Sequence, residues 1–395
     1  MTTPTAAPFV RTRYTILAYI MLAYFAYLMA VLGPAMPFLT DQLHLTYTQA
    51  GAHFTAFAAG MVIAGLSGDR LAQRFGRRLL FWGGALGMAL GAVILITGPI
   101  AVVTIGASLV MGSLGGLLLV TIQASLADAH GVRRAVALSE SNVASSFSAM
   151  LAPLMVGELQ RNGLGWRAAV IIILAIFSAV AVLMRREVVV DSHRTPAQTR
   201  HSARLPALFW LLWLVIFFGV AAEWSMGYWG AEFLYQTIGL TRADASTYMT
   251  VFFSAVVVGR LIGSRLTHVV VPEKVLIASG LIALAGFPLF WASGIPLLTI
   301  AGLFLVGFGL GNIFPLTLSL AVGLVPGNAN IVSARASLGS GSAILIMPQV
   351  LGIVADRSSI QTAYGLVLLM LVLVVAAIGI AVRHLGLHDR SISSA

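Results

Sequence analysis

The chain has 395 residues, of which 59% are hydrophobic and 9% are charged, with a formal net charge of +10 and no cysteine. A soluble protein carries about 25% charged residues, so this composition predicts a chain that lies mostly in lipid. The lack of cysteine excludes disulfides, thiolate metal sites and cysteine nucleophiles. The basic residues are dispersed in short loops between apolar segments, which argues against nucleic acid as a partner.

Apolar segments long enough to cross a bilayer recur along the whole chain. A span needs about 20 apolar residues, and breaks such as Gly98-Pro99 divide runs that are otherwise too long. We therefore predict an all-α membrane protein with twelve transmembrane helices. The predicted spans are 14–37, 48–68, 79–97, 100–125, 137–158, 168–184, 207–234, 246–266, 274–293, 297–322, 332–354 and 362–382.

The loop after the second predicted span sets the orientation. Residues 65–78 read GLSGDRLAQRFGRR, so one aspartate and four arginines follow a hydrophobic segment directly. Arginine crosses a bilayer only at high cost, and short basic loops therefore stay in the cytoplasm. When the spans alternate, most of the 23 lysines and arginines fall on this same side. We expect a multi-pass protein of a bacterial inner (plasma) membrane, with both termini in the cytoplasm.

The two halves of the chain repeat each other. Gly112 and Gly116 recur as Gly307 and Gly311, a displacement of 195 residues (307 − 112 = 195). The same displacement relates Gly68-Asp69-Arg70-Leu71 to Gly263-Ser264-Arg265-Leu266, and Pro153 with Gly157 to Pro348 with Gly352. A parallel duplication of six helices is typical of two-lobed transporters with a site between the lobes. We predict two pseudo-symmetric six-helix bundles, 1–184 and 207–395, joined by a cytoplasmic linker, 185–206.

The basic loop resembles the signature loop of the major facilitator superfamily. The shared residues are Gly65-x-x-x-Asp69-Arg70 followed by Gly76-Arg77-Arg78, with four residues, about one helical turn, inserted between Leu71 and Gly76. The resemblance implies a transporter that works by alternating access. It also implies that span 2 packs against span 11 and that span 5 packs against span 8.

The seventh span is similar to the fucose/glucose–proton symporter branch of that superfamily. The shared residues are Glu223-x-Ser225-x-Gly227-x-Trp229, then Phe233-Leu234, then Gly259-Arg260 in span 8. That branch carries coupling carboxylates in spans 1 and 4, and this sequence has none in either predicted span. The resemblance implies a sugar-like substrate and protons as the coupling ion.

Glu223 is the acid that we place deep in a predicted span. A carboxylate there is costly unless it is paired, hydrated or protonated, so we predict that it couples protons and contacts substrate. The alternative is a structural glutamate held by neighbouring helices. Further substrate-binding candidates are polar or aromatic side chains inside spans, which must face protein or a cavity: Tyr24, Tyr27, Gln123, Trp224, Tyr228 and Asn312. For Trp224 and Tyr228 the alternative is an interfacial anchor, and for Asn312 a hydrogen bond between helices.

Charged residues at the cytoplasmic ends of spans predict a gate: Asp69, Arg70, Arg77, Arg78, Glu140, Arg260 and Arg335. With the helix packing that the resemblance implies, Asp69 meets Arg335 and Glu140 meets Arg260. We predict that both pairs close the cytoplasmic side in the outward-open state. The alternative is static ion pairing.

The leading functional hypothesis is a secondary transporter that imports a small, sugar-like polar solute together with protons. The alternative is an efflux antiporter for drugs or metabolites on the same scaffold. A membrane enzyme is disfavoured because no metal-spaced histidine cluster, nucleophile motif or phosphate-binding loop is present. We expect no cofactor and no metal. The expected partners are a small-molecule substrate, protons and the lipid bilayer, and we expect a monomer.

Overall fold

The computed structural model describes residues 9–187, 189, 205–325 and 328–393, and within these ranges the regular structure is helical. Most of the predicted linker, 185–206, lies outside the described residues. A single 3-10 turn, Gly131–Arg133, joins α5 to α6. The helices are α1 (Arg13–Ala30), α2 (Leu32–Leu43), α3 (Tyr47–Phe75), α4 (Arg77–Thr97), α5 (Ala101–His130), α6 (Arg134–Arg161), α7 (Arg167–Met184), α8 (Ala207–Ile238), α9 (Arg242–Leu266), α10 (Pro272–Ala292), α11 (Pro296–Gly323), α12 (Ala329–Arg357) and α13 (Ile360–Ser393).

Eleven helical segments of the described chain are long and apolar enough to cross a membrane. One of them, Ala101–Arg161, has 61 residues and contains both α5 and α6, whereas a single span needs about 20. Another, Arg13–Leu43, contains α1 and α2. The chain therefore has the build of a multi-pass integral membrane protein.

The first predicted span, 14–37, is divided at Val31 into α1 and α2. Pro34 has no amide hydrogen, so the carbonyl of Ala30 loses the helical partner that it would otherwise find there. Gly33 then lies so close to α8 that a Cβ on it would stand 2.3 Å from the carbonyl oxygen of Gly227. The break thus allows backbone contact between α2 and α8.

The repeated glycines perform the same packing task in both halves. A Cβ on Gly112 of α5 would lie 2.0 Å from the carbonyl oxygen of Phe57 in α3. A Cβ on Gly307 of α11 would lie 2.6 Å from the carbonyl oxygen of Phe252 in α9. Phe57 and Phe252 are themselves 195 residues apart (252 − 57 = 195). The sequence repeat therefore corresponds to a repeat of helix contacts.

The two halves of the chain meet at one end of the bundle. We call the end that carries Arg70, Arg77 and Arg78 the arginine-rich face, and the other end the opposite face. At the opposite face, Gly157 of α6 packs on the carbonyl of Ala243 in α9, and Gly352 of α12 packs on the carbonyl of Tyr47 in α3. Among the described residues, the polar contacts that join the halves also lie toward this face. The helices of the two halves are thus closed together at the opposite face.

Candidate transport site and gates

An ion pair joins α8 to α9 inside the bundle. Arg260 donates from Nη2 to Oε1 of Glu223 at 2.9 Å, and from Nε to the carbonyl oxygen of Gly311 in α11 at 3.1 Å. The side chain of Glu223 is 16% exposed and that of Arg260 is 43% exposed. The ion pair offsets the free-energy cost of placing a carboxylate inside the membrane. Part of the guanidinium remains exposed, so a ligand can reach it. Sequence reasoning identified both residues but not this contact between them.

Aromatic side chains extend from Glu223 toward the opposite face. The rings of Trp224 and Tyr228 lie 5.1 Å apart, and Tyr228 stacks on Phe54 of α3 at 4.2 Å. Trp229 is fully buried and donates its indole N–H to the carbonyl oxygen of Pro348 at 3.0 Å. The hydroxyl of Tyr228 is buried without a hydrogen-bond partner. Tyr228 therefore packs at the junction of the two halves, below the surface rather than at a membrane interface.

Tyr24 and Tyr27, expected to face the lumen rather than lipid, bind backbone carbonyls in this structure. The hydroxyl of Tyr24 donates to the carbonyl oxygen of Ala85 in α4 at 3.2 Å, and that of Tyr27 to the carbonyl oxygen of Ala169 in α7 at 3.1 Å. Both residues are buried. Backbone carbonyls of neighbouring helices satisfy these hydroxyls, so neither is presented to a solute.

Asn312 and Gln123, two further substrate-binding candidates, lie in different surroundings. Asn312 is buried against Gly263, where a Cβ would lie 2.0 Å from Oδ1, and it lines a cleft that also includes Lys274 between α9, α10 and α11. Gln123 is exposed on α5. The glycine of α9 leaves the volume that the Asn312 amide fills, which explains why that side chain packs between helices.

The signature loop binds neighbouring elements on the arginine-rich face. Arg77 donates to Oδ2 of Asp128 in α5 at 2.6 Å, and Arg78 donates to the carbonyl oxygen of Arg185 at 2.9 Å. Gly76 takes a positive φ of 79° between α3 and α4, which a residue with a side chain adopts only under strain. Asp69 is exposed beside Arg77 in a shallow cleft. Asp128 was not selected from the sequence, because an acid at a helix end carries no signal of its partner.

The two predicted gate pairs are not formed in this structure. Glu140 accepts from Arg11 at 2.9 Å and 2.5 Å and from the Tyr19 hydroxyl at 3.1 Å, whereas Arg260 pairs with Glu223. Arg70 and Arg335 are exposed, and the main-chain carbonyl of Arg335 accepts from Trp213. Among the described residues, the ion pairs include neither Asp69 with Arg335 nor Glu140 with Arg260.

Different charged contacts close the opposite face. Asp356 of α12 accepts from the backbone N–H groups of Tyr47 and Thr48 at 2.7 Å each, and so binds the N-terminus of α3. Arg242 of α9 donates to Asp41 of α2 at 2.6 Å. Arg161 of α6 binds Asp244 of α9. Positions 161 and 356 are also 195 residues apart (356 − 161 = 195), so the repeat places a charged residue at the same point in each half.

Sequence reasoning missed a second buried carboxylate. Glu232 is 3% exposed and accepts a hydrogen bond from Nε2 of Gln236 at 2.8 Å. The predicted span ended at residue 234, whereas α8 continues to Ile238, which places Glu232 more than a turn inside the helix.

Among the described residues, no cluster of His, Asp and Glu side chains has the arrangement of a metal site.

A comparison with protein families decides the identity of this fold. The sequence model of the Major Facilitator Superfamily matches residues 16–266 and 212–391. The chain belongs to the major facilitator superfamily. The resemblance of the signature loop is thereby confirmed, and proteins of this superfamily are membrane transporters.

A curated relative and several solved structures resemble this superfamily member. An uncharacterised MFS-type transporter of Yersinia pestis is 32% identical over 156 residues, which is 40% of this chain and 41% of the relative. A bacterial homologue of the human lysosomal transporter Spinster, in an inward-facing and occupied conformation, has a TM-score of 0.73 at 15% identity and covers 95% of this chain and 98% of its own.

Two further solved structures share the fold. The nucleoside transporter NupG has a TM-score of 0.75 at 12% identity, covering 93% of this chain and 98% of its own. The fucose:proton symporter FucP of E. coli has a TM-score of 0.59 at 20% identity, covering 93% of this chain and 99% of its own. Likeness at these identities establishes the fold of the superfamily.

Proposed function

We propose that this transporter moves a small polar organic solute, of sugar-like chemistry, by alternating access coupled to protons, in the direction of import. The observation that carries the proposal is the Glu223–Arg260 ion pair, where a carboxylate and a guanidinium lie inside the bundle. A proton on Glu223 neutralises the carboxylate and frees the guanidinium donors for a solute. Binding of a proton and of a solute are then linked through one pair.

Polyhydroxyl solutes fit this pair because their hydroxyls both donate to a carboxylate and accept from a guanidinium. Trp224, beside Glu223 on α8, offers an apolar ring face of the kind that sugars pack against. FucP is a fucose:proton symporter and NupG a nucleoside transporter, and both kinds of solute carry a sugar ring. These features together favour a sugar-like substrate over a lipophilic one.

Efflux of a cationic drug or metabolite is the second candidate. It is favoured by the same carboxylate, because Glu223 released from Arg260 presents a negative charge to a cation. The two candidates differ in the direction of the solute relative to the proton. A symporter moves the solute inward with the proton, whereas an antiporter moves it outward as a proton enters.

The architecture that we propose is twelve spans in two six-helix bundles, 1–184 and 207–395, with 185–206 as a cytoplasmic linker. The Ala101–Arg161 segment then counts as two spans, because its 61 residues exceed twice the length of one crossing. The equivalent glycine contacts of α5 on α3 and of α11 on α9 support the pairing of the halves. The arginine-rich face is cytoplasmic in this proposal, with both termini there, in a bacterial inner membrane. Nothing in the proposed mechanism requires more than a monomer.

The predicted cytoplasmic gate is supported by the register of the helices. Helices α6 and α9 run antiparallel, and Gly157 faces Ala243. Seventeen residues back along α6 stands Glu140 (157 − 140 = 17), and seventeen residues on along α9 stands Arg260 (260 − 243 = 17). The shared distance is about 25 Å along each helix, so closing the arginine-rich ends brings the two side chains level.

The other helix pair has the same property. Asp356 of α12 binds Thr48 of α3 at the opposite face. Twenty-one residues on along α3 stands Asp69 (69 − 48 = 21), and twenty-one residues back along α12 stands Arg335 (356 − 335 = 21). We propose that both pairs hold the cytoplasmic side closed when the opposite face opens. Arg260 then alternates between Glu223 and Glu140.

The test is solute uptake into proteoliposomes under an imposed pH gradient, with labelled hexoses and nucleosides as substrates. We expect wild-type protein to accumulate a solute only with the gradient. Glu223→Gln should lose accumulation but retain solute exchange between the two sides, because exchange requires no net proton movement. Glu273→Gln is the matched control, since Glu273 is a partly exposed glutamate in the first turn of α10, outside both gates.

Gradient-driven accumulation by Glu223→Gln at the wild-type level refutes the coupling role. Accumulation of a cationic dye in inside-out vesicles, with no hexose or nucleoside uptake, would replace the import proposal by efflux.

A further inference from the structure

Glu232 is a buried carboxylate whose hydrogen-bond partner is a neutral amide. The residue is 3% exposed, and Gln236 on the same helix donates to Oε1 at 2.8 Å. Among the described residues no cation forms an ion pair with it. A buried charge without a counterion is very unfavourable, and such a group takes a proton instead. In the closed arrangement of this structure, a protonated Glu232 is therefore the stable form.

Arg242 lies between Glu232 and the other half of the chain. It donates from Nη2 to Asp41 at 2.6 Å, and its guanidinium lies 4.4 Å from the ring centre of Tyr235. Its Nε is buried and has no hydrogen-bond partner. Arg242 thus holds the two halves together through Asp41 while keeping a donor unused. The arginine is committed to only one of the two acids near it.

Among the described residues, Arg242 is the cation that acts on Glu232. The charged and titratable groups within electrostatic range are Asp41 of α2, Tyr47 of α3, Arg242 of α9 and Tyr364 of α13. Tyr47 belongs to the first half of the chain and lies next to Asp356, so Glu232 faces the contact between the halves. Arg242 is therefore the nearby cation with which Glu232 pairs when its carboxylate is ionised.

We propose that Glu232 is a proton-binding site that controls the opposite-face gate. With a proton on Glu232, Arg242 remains on Asp41 and the halves stay closed. When that proton passes to water, the ionised carboxylate competes for Arg242, the bridge to Asp41 weakens and the face opens. This inference rests on the proposed alternating access and adds a second proton site, distinct from Glu223.

A distance measurement across the opposite face tests the switch without any substrate. The chain has no cysteine, so Leu164→Cys and Ile295→Cys introduce the two spin-label sites alone. Both positions are exposed, at 67% and 54%, in loops at the opposite face, one in each half. Double electron–electron resonance on the spin-labelled protein in nanodiscs then measures the populations of the open and closed states. We expect the open-to-closed ratio to rise about ten-fold or more between about pH 5 and about pH 8, within the usual range of coupling between sites.

Three variants separate this switch from general weakening of the gate. Glu232→Gln is neutral at every pH and should stay in the closed population throughout. Asp41→Asn removes the acid that competes for Arg242 and should open the face at both pH values. Arg161→Gln removes a second ion pair between the halves, Arg161 to Asp244, and should raise the open population while leaving the pH response intact.

Two results overturn the proposal in different ways. If Glu232→Gln responds to pH as the wild type does, Glu232 is not the switch, and alternating access is unaffected. If the wild-type distances stay single and unchanged at every pH and with every substrate of the uptake panel, the face does not open. In that case both the switch and the proposed alternating access are wrong.

Discussion

Replacing Gly352 by alanine should open the opposite face, because Gly352 is a point where the two halves touch by backbone. A Cβ there would lie 2.5 Å from the carbonyl oxygen of Tyr47, whereas ordinary contact begins at 3.4 Å. Helix α12 must move away from α3 by about 0.9 Å to relieve this overlap (3.4 − 2.5 = 0.9). Overpacking of this size costs about 1–3 kcal/mol. That cost falls on the state in which the halves are closed, apart from a smaller overlap with Trp229 of α8, 3.2 Å from the same Cβ.

The closed state should therefore lose about five- to 150-fold in population relative to the open state. The measurement is the label distance between introduced cysteines at positions 164 and 295, which lengthens when the opposite face opens. The shift should appear without substrate and at a single pH, since no titrating group is changed. Thermal unfolding of the variant should remain close to wild type, because each half keeps its own packing.

Gly341→Ala is the matched control on the same helix. Nothing lies within 4 Å of a Cβ at Gly341, so the substitution adds no overlap. Both substitutions gain the same helix propensity, about 1 kcal/mol, which cancels in the comparison. Equal distance distributions for Gly352→Ala and Gly341→Ala would refute the backbone contact as the feature that closes this face.

Two further predictions concern residues singled out in the sequence. Tyr24→Phe and Tyr27→Phe should each lower the free energy of unfolding by about 1 kcal/mol, through loss of a hydrogen bond to a buried carbonyl, and leave transport unchanged; a loss of uptake with normal thermal stability would contradict the structure. Asp69→Asn should slow transport with little effect on thermal unfolding, since Asp69 is exposed here and acts only when the cytoplasmic side closes; a wild-type transport rate in this variant would exclude the proposed pairing with Arg335.

The sequence was most informative about residues whose free-energy cost in the membrane depends on their own helix alone. A carboxylate inside an apolar run is unfavourable whatever surrounds it, so Glu223 stood out before any contact was known. The repetition of Gly112 as Gly307 indicated a duplicated chain, and the two glycines make equivalent close contacts with neighbouring helices. Both inferences depend on properties that a single helix carries by itself.

The sequence did not predict which side chains form ion pairs or hydrogen bonds between different helices. Arg260 was assigned to Glu140 alone, although in this structure it binds Glu223, because which of two acids a flexible guanidinium reaches depends on the tilt between the halves. The hydroxyls of Tyr24 and Tyr27 donate to backbone carbonyls of α4 and α7. The spacing of residues along α1 does not indicate these partners.

The sequence by itself determined that this chain is a helical membrane transporter of duplicated design, since apolar length, basic loops and glycine spacing follow from the cost of placing polar groups in lipid. The tertiary structure alone decided which face is closed, that Glu223 has a counterion and that Glu232 forms no ion pair among the described residues. Those facts depend on distances between helices far apart in the chain. The physical reason is that transfer into lipid acts on each segment separately, whereas ion pairing acts only between side chains that the packed bundle brings within a few ångströms.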